Sequence, residues 1–167
     1  MLHSALLGLI QNACESVLIL VEQLQREELM RSRLTRAEVQ RQGLGDCVAL
    51  PGFVRDRPLI LETLRQAHAL VFCHKTPESP RNLIEALVSG APIVGYDSPF
   101  PRDLIAAHGG GVLTPLNDVN ALVDSLASLA TDRNRLVQLI QRAAKDGEPF
   151  NDVAVFKHRS EVIHAHL

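Results

Sequence analysis

The chain has 167 residues, of which 46% are hydrophobic and 22% are charged, and its formal net charge is -2. This length is sufficient for one well-buried core and short for two full domains, and the composition is that of an ordinary globular protein, so we expect a single domain over residues 1–167. The slightly negative charge disfavours nucleic acid as a partner, because nucleic-acid-binding surfaces are usually strongly basic.

Cysteine spacing and hydropathy bear on the cellular compartment. Cys14, Cys47 and Cys73 are odd in number and far apart, with no Cys-x-x-Cys pair. This spacing predicts neither a disulfide framework nor a cysteine zinc site, and a reducing cytoplasm fits it best. The apolar segment 1–10 has no basic region before it and is followed by polar residues at helical spacing, which favours a packed amphipathic helix over a signal peptide or a membrane span.

Short apolar runs alternate with helical patterns along the chain. An amphipathic helix is predicted over residues 2–13, a strand at 17–21 and a charged helix over 22–42. The alternation continues with strands at 47–50, 69–74, 92–96 and 112–114, and with helices at 58–67, 80–89, 102–107, from 117 or 118 onward, 132–145 and 149–166. Continuous β-branched runs suit strands buried on both faces, and each parallel crossover needs a covering helix. We therefore predict an α/β fold, a Rossmann-like doubly wound parallel sheet with helices on both faces.

The loop at residues 75–79 leads from a predicted strand into a predicted helix. Open parallel sheets bind their ligands beyond the carboxyl ends of the strands. We expect Ser79 to cap this helix and Pro80 to occupy its first position, where a missing N–H costs nothing. The free backbone N–H groups and the positive end of the helix dipole suit a phosphate or another anion.

Polar residues share one face of this predicted helix. At helical spacing Glu78, Asn82 and Glu85 lie close together, whereas the apolar residues of the same segment point the other way. An ionised carboxylate can accept hydrogen bonds from both hydroxyls of a vicinal diol, such as those of ribose and hexose. The alternative is that Glu78 only complements the helix dipole and Glu85 is a solvated surface residue. Spacing alone favours this second interpretation.

The run TPESPRNLIEALVSGAPIVGY at 76–96 resembles the donor-site signature of retaining GT-B glycosyltransferases, in particular glycosyltransferase family 4 (group 1). Residues 85–94 closely fit the glutamate and the Ala-x-x-x-Gly-x-Pro-Val-Val pattern of that family. Residues 48–54 resemble its strand and glycine–aromatic turn, and residues 108–118 resemble its last strand and the helix that follows. The resemblance spans about residues 17–156 and implies one half of a GT-B architecture, the C-terminal, donor-binding half.

The resemblance also implies roles for individual residues. Glu85 would hold the ribose hydroxyls of a nucleoside diphosphate sugar, and Glu78 would be the catalytic-site carboxylate that contacts the donor sugar. The backbone around Ser79, Pro80 and Arg81 would lie near the diphosphate, with the glycine–aromatic turn flanking the base. The predicted donor-binding residues are Gly52, Phe53, His74, Thr76, Ser79, Pro80, Arg81, Asn82 and Glu85. We expect no metal site and no permanently bound cofactor, with the nucleoside diphosphate sugar as donor substrate.

The segment departs from the family pattern in two ways. Six residues separate Glu78 from Glu85 where the family usually has seven, and Ser79-Pro80-Arg81 replaces the flexible glycine turn. Because proline has no N–H to offer a phosphate, Arg81 is a candidate substitute as a charged partner. His74, at the end of a predicted strand, is either a ligand contact or a hydrogen-bonded structural histidine.

The sequence thus predicts the donor-binding domain of a glycosyltransferase that moves a hexosyl group to an acceptor in glycan, polysaccharide or glycolipid synthesis. Complete GT-B enzymes resemble two such domains that face each other across a cleft. We therefore expect the acceptor site, and any peripheral membrane association, to come from an N-terminal domain or a partner subunit, and the isolated domain to be incomplete or inactive. The alternatives are a non-catalytic nucleotide-binding module and the donor subunit of a split glycosyltransferase.

Overall fold

The computed structural model describes residues 19–21, 36–41, 43–49, 54–76 and 79–165. Within this part of the chain, four parallel strands form one sheet in chain order: β1 Ile19–Val21, β2 Ala69–Phe72, β3 Ile93–Tyr96 and β4 Gly111–Thr114. The register pairs Val71 with Val94 and Tyr96 with Thr114. Because all four strands are parallel, their carboxyl ends meet at the same edge of the sheet.

Helices cover the sheet and connect its strands. They are α1 Arg36–Arg41, α2 Arg57–Gln66, α3 Arg81–Val88, α4 Pro99–Leu104, α5 Val119–Thr131, α6 Arg133–Gly147 and α7 Asp152–Ala165, with a 3₁₀ turn at Glu148–Phe150. None of the helices in the described ranges combines the length and hydropathy needed to cross a membrane.

The core has two parts, one on each face of the sheet. Leu70 and Phe72 of β2 pack on the face covered by α2, α3 and α6, and Val71 packs on the face covered by α5. This alternation follows from the period of two along a strand. All residues of β2 and β3 are buried, as their continuous apolar runs predict. The predicted α/β fold, a parallel sheet with helices on both faces, is confirmed.

Aspartate side chains set the starts of three helices. Asp56, Asp118 and Asp132 each accept a hydrogen bond from a backbone N–H three residues later, at 3.3, 2.9 and 2.9 Å. Such caps satisfy N–H groups that the first turn of a helix leaves open. Of the two candidates for capping α5, the structure selects Asp118, whereas Asn117 takes a left-handed conformation with φ of 64°.

Three predictions about local structure are wrong. Residues 47–49 form no strand: the backbone N–H groups of Cys47 and Val48 both donate to the carbonyl of Leu44, each at 3.0 Å, so this stretch begins in a turn. Cys47 is disulfide-bonded, contrary to the expectation from the cysteine spacing, whereas Cys73 forms no disulfide. The helix predicted at 102–107 begins earlier, because Pro99 suits a first helical position. The helix predicted at 2–13 and most of that at 22–42 lie outside the described residues.

Candidate functional site

The loop that follows β2 leads directly into α3 at the carboxyl edge of the sheet. Pro80 is the N-cap of α3, in an extended conformation with φ of -69° and ψ of 122°, and its carbonyl accepts from the N–H of Leu83 at 3.2 Å. No side chain caps this helix, so the expected Ser79 cap with Pro80 inside the helix is wrong by one residue. Since Pro80 itself supplies the first helical carbonyl, Ser79 lies too far upstream to reach the first turn. Among the residues that the structure describes, the first N–H groups of α3 therefore have no side-chain cap.

Glu85 lies one turn into α3 and is the centre of a charged cluster. Its side chain is only 17% exposed, so it is not a solvated surface residue. The Oε1 atom of Glu85 lies 2.8 Å from Nη1 of Arg57, the first residue of α2, and 3.7 Å from Nε of Arg81, the first residue of α3. Two arginines that begin different helices thus converge on one oxygen of a largely buried carboxylate.

Asn82 shares a face of α3 with Glu85, because residues three apart are neighbours on a helix surface. Asn82 is half-buried, and its buried Oδ1 atom has no hydrogen-bond partner among the described residues. A buried acceptor without a donor is energetically costly and is uncommon in native proteins. Asn82 therefore adds an acceptor beside the carboxylate of Glu85, as the predicted polar face requires.

The comparison with protein families settles the class of this chain. Residues 31–146 match the family described as Glycosyl transferases group 1. The chain belongs to this family. The predicted resemblance and the predicted half of a GT-B architecture are therefore confirmed.

Relatives of this group 1 domain are enzymes of greater length. It is 38% identical to a GDP-mannose-dependent alpha-mannosyltransferase of Mycobacterium tuberculosis (strain CDC 1551 / Oshkosh) over 60 residues, which are 35% of this chain and 16% of the relative. Its fold is similar to Anabaena HepE in complex with UDP, with a TM-score of 0.72, 20% identity, and coverage of 97% of this chain and 44% of the other. Sucrose-phosphate synthase from Thermosynechococcus elongatus gives a TM-score of 0.73, 20% identity, and coverage of 96% and 41%. The chain thus spans less than half the length of these relatives.

The other predicted site residues of the group 1 domain differ in how the structure places them. His74 follows β2 directly and is half-buried, with its ring centroid 6.0 Å from that of Phe72 at an interplanar angle of 33°. Pro80 is half-buried, whereas the side chain of Arg81 is 80% exposed. Thr76 and Ser79 are exposed residues of the same loop. Gly52, Phe53 and Glu78 lie outside the described residues, and their roles stay predictions.

A second ion pair lies at the same edge of the sheet, in the loop after β3. Both carboxylate oxygens of Asp97 accept from Arg102, at 3.1 Å from Nε and 2.7 Å from Nη2. These hydrogen bonds raise the pKa of Arg102 above its ordinary value. Asp97 thus joins the loop after β3 to the last turn of α4. Across the described ranges, no three His, Cys, Asp or Glu side chains are grouped as a metal site would require.

Arg57 makes the shorter of the two ion pairs that Glu85 forms with described residues, and no pattern in the sequence marked it as a site residue. A pattern along the chain shows which residues share a helix face, but not which helix start lies opposite. The available signal was the Asp56 cap, which predicts that a helix begins at residue 57.

Proposed function

We propose that this protein binds a nucleoside diphosphate sugar at the carboxyl edge of its sheet, as the donor-binding domain of a hexosyl-transferring glycosyltransferase. The observation that carries the proposal is the largely buried carboxylate of Glu85 beside the open start of α3, in a chain that belongs to the group 1 family. In this proposal residues 1–167 form one nucleotide-sugar-binding domain, with the helices from about residue 132 completing it.

The chemistry of such a donor matches the groups at this edge. The Glu85 carboxylate accepts hydrogen bonds from the ribose diol, and the start of α3 and the Arg81 guanidinium face the diphosphate. In the transfer step, the bond between the anomeric carbon and the diphosphate oxygen breaks, and its electron pair leaves with the nucleoside diphosphate. The acceptor oxygen then bonds to the anomeric carbon and loses its proton. Positive charge around the phosphates stabilises the leaving group.

Glu78 is the proposed catalytic-site carboxylate, because it precedes α3 in the segment that resembles the donor-site signature, although one residue fewer separates it from Glu85 than the family usually has. A carboxylate near the donor sugar stabilises the positive charge that develops at the anomeric carbon. Gly52 and Phe53 are the proposed contacts of the base. His74 and Thr76 follow β2 at the sheet edge, where the donor sugar would lie. Asn82 offers its buried Oδ1 to a donor hydroxyl.

Names of the relatives support a nucleoside diphosphate as the shared ligand. One relative depends on GDP-mannose, and the structure of HepE contains UDP. The base differs between them, so we test several nucleotides. Because the chain covers 44% of HepE and 41% of sucrose-phosphate synthase, we propose that an additional domain or partner subunit supplies the acceptor site. Polysaccharide or glycolipid synthesis is the proposed process.

A calorimetric titration of the intact chain tests this function. The panel comprises UDP, GDP and ADP together with UDP-glucose and GDP-mannose. We expect at least one of them to bind with a dissociation constant of about 10 μM to 1 mM, the range of many Michaelis constants. No binding by any member of the panel would disprove the proposal. Binding without sugar transfer, even with a complete acceptor partner, would instead identify a non-catalytic nucleotide-binding module.

We also propose that the protein is cytoplasmic, and the oxidation state of its cysteines tests this localisation. Cys73 forms no disulfide, which suits a reducing compartment, whereas the disulfide at Cys47 opposes it. Because a reducing cytoplasm would open that disulfide, the proposed localisation predicts that alkylation of native cell extracts without reductant labels Cys47, as read by mass spectrometry of its peptide. A Cys47 that is labelled only after reduction would place the protein in an oxidising compartment.

A further inference from the structure

Arg57 is held at the edge of the site by the start of α2. Asp56 caps this helix by accepting from the N–H of Leu59 at 3.3 Å, and Arg57 is the first helical residue. From this position its guanidinium reaches across to α3, where Nη1 lies 2.8 Å from Oε1 of Glu85. The side chain of Arg57 remains 56% exposed, so the ion pair lies at the surface and not within the core.

Both arginine contacts fall on the same oxygen of Glu85. Nη1 of Arg57 is within hydrogen-bond distance of Oε1, while Nε of Arg81, at 3.7 Å, is too far for a hydrogen bond and acts only through its charge. A carboxylate has about four acceptor positions on its two oxygens. The ion pair with Arg57 therefore occupies at most one position, on Oε1, and Oε2 has no partner among the residues that the structure describes. The remaining positions are sufficient for both hydroxyls of a diol.

We propose that Arg57 is a positioning residue for donor binding, which orients the Glu85 carboxylate so that Oε2 and the free position of Oε1 receive the ribose diol. This inference rests on the proposed function. A carboxylate turns easily about its last side-chain bond, and a close ion pair at one of its oxygens restricts that rotation. Arg57 thus reduces the conformational entropy that the site loses when the ribose binds.

The exposure of Arg57 indicates that its ion pair with Glu85 orients the carboxylate more than it stabilises the fold. Ion pairs with a largely exposed member contribute little to the free energy of unfolding. The loss of Arg57 should therefore affect ligand binding while the fold remains intact. The matched control is Arg65, on the same helix, whose side chain is 60% exposed and pairs with Glu62 at 3.3 Å.

The test compares each nucleotide with a counterpart that lacks the diol. Calorimetry measures the binding of UDP and GDP, and of their 2′,3′-dideoxy forms, to the intact chain and to the Arg57→Ala, Arg57→Lys and Arg65→Ala variants. We expect the intact chain to prefer the ribonucleotide by about tenfold or more, the scale of hydrogen bonds to a charged group. In Arg57→Ala, ribonucleotide affinity should fall by about three- to tenfold while dideoxy affinity stays within about twofold.

The two substitutions at Arg57 and the control at Arg65 separate the outcomes. Arg57→Lys should recover part of the preference for the ribonucleotide, and Arg65→Ala should bind as the intact chain does. An undiminished preference in Arg57→Ala overturns the inference, as does a parallel loss for both nucleotide forms, which would indicate a direct phosphate contact. Tighter binding by Arg57→Ala also overturns it, because Arg57 would then obstruct the site. If the intact chain binds no member of the panel used to test the proposed function, that function fails and this inference fails with it.

Discussion

The Glu85→Ala variant is expected to bind its nucleoside diphosphate about 10- to 100-fold more weakly than the intact chain. The substitution removes hydrogen bonds between a carboxylate and the ribose hydroxyls, and hydrogen bonds to charged groups are worth about 1.5–3 kcal/mol. The fold should remain, because the arginines that lose their partner are 56% and 80% exposed and regain water. Calorimetry measures the affinity, and urea unfolding measures the stability.

Glu62→Ala is the control for this prediction. Glu62 is an exposed carboxylate of α2 that also pairs with an arginine, but it lies away from the start of α3. Hydrogen bonds from Gln66 and Arg65 lower the pKa of Glu62 below its ordinary value, so it is charged at neutral pH like a typical surface glutamate. Its removal should leave nucleotide affinity unchanged. Equal losses for the two variants would show that Glu85 acts only through general charge.

The Asp146→Ala variant is expected to lose about 2–4 kcal/mol of the free energy of unfolding. The residue is 3% exposed, and its two carboxylate oxygens accept from the backbone N–H groups of His108 and Gly110, at 2.9 and 2.7 Å. Asp146 therefore ties α6 to the glycine turn that precedes β4. Alanine would leave the buried N–H of Gly110 without an acceptor, and such losses are among the largest effects of single substitutions.

Asp132→Ala is the matched comparison, measured by the same urea denaturation. Asp132 also accepts from a backbone N–H, that of Arg135 at 2.9 Å, but this contact is exposed. Water can replace it, so the expected cost is about 1 kcal/mol, typical of a lost helix cap. Asp146→Asn should lie between the two, because an amide keeps one acceptor oxygen. A loss at Asp146 no larger than that at Asp132 would contradict the assigned role.

Predictions from the sequence succeeded where the structure follows from the hydrophobicity of neighbouring residues, and failed where the path of the chain decides it. β2 and β3 were predicted because continuous apolar runs are typical of strands that are buried on both faces. The segment at 47–50 has a similar apolar run, yet the Leu44 carbonyl accepts hydrogen bonds from two of its N–H groups, and a turn begins there. Ser79 failed as a cap for a related reason, since either it or Pro80 could occupy the N-cap and only the three-dimensional path of the loop decides between them.

The sequence by itself determined the class of fold, the polar face of α3 and the family, because hydrophobic periodicity and the 76–96 motif are properties of neighbouring residues. Only the tertiary structure showed that Arg57 meets Glu85 and that Asp146 holds Gly110. Both contacts join residues of different elements, whose distance depends on how the helices pack against the sheet. The motif of the proposed site is therefore local in the sequence, whereas the orientation of its side chains is set by packing between elements that are distant in the sequence.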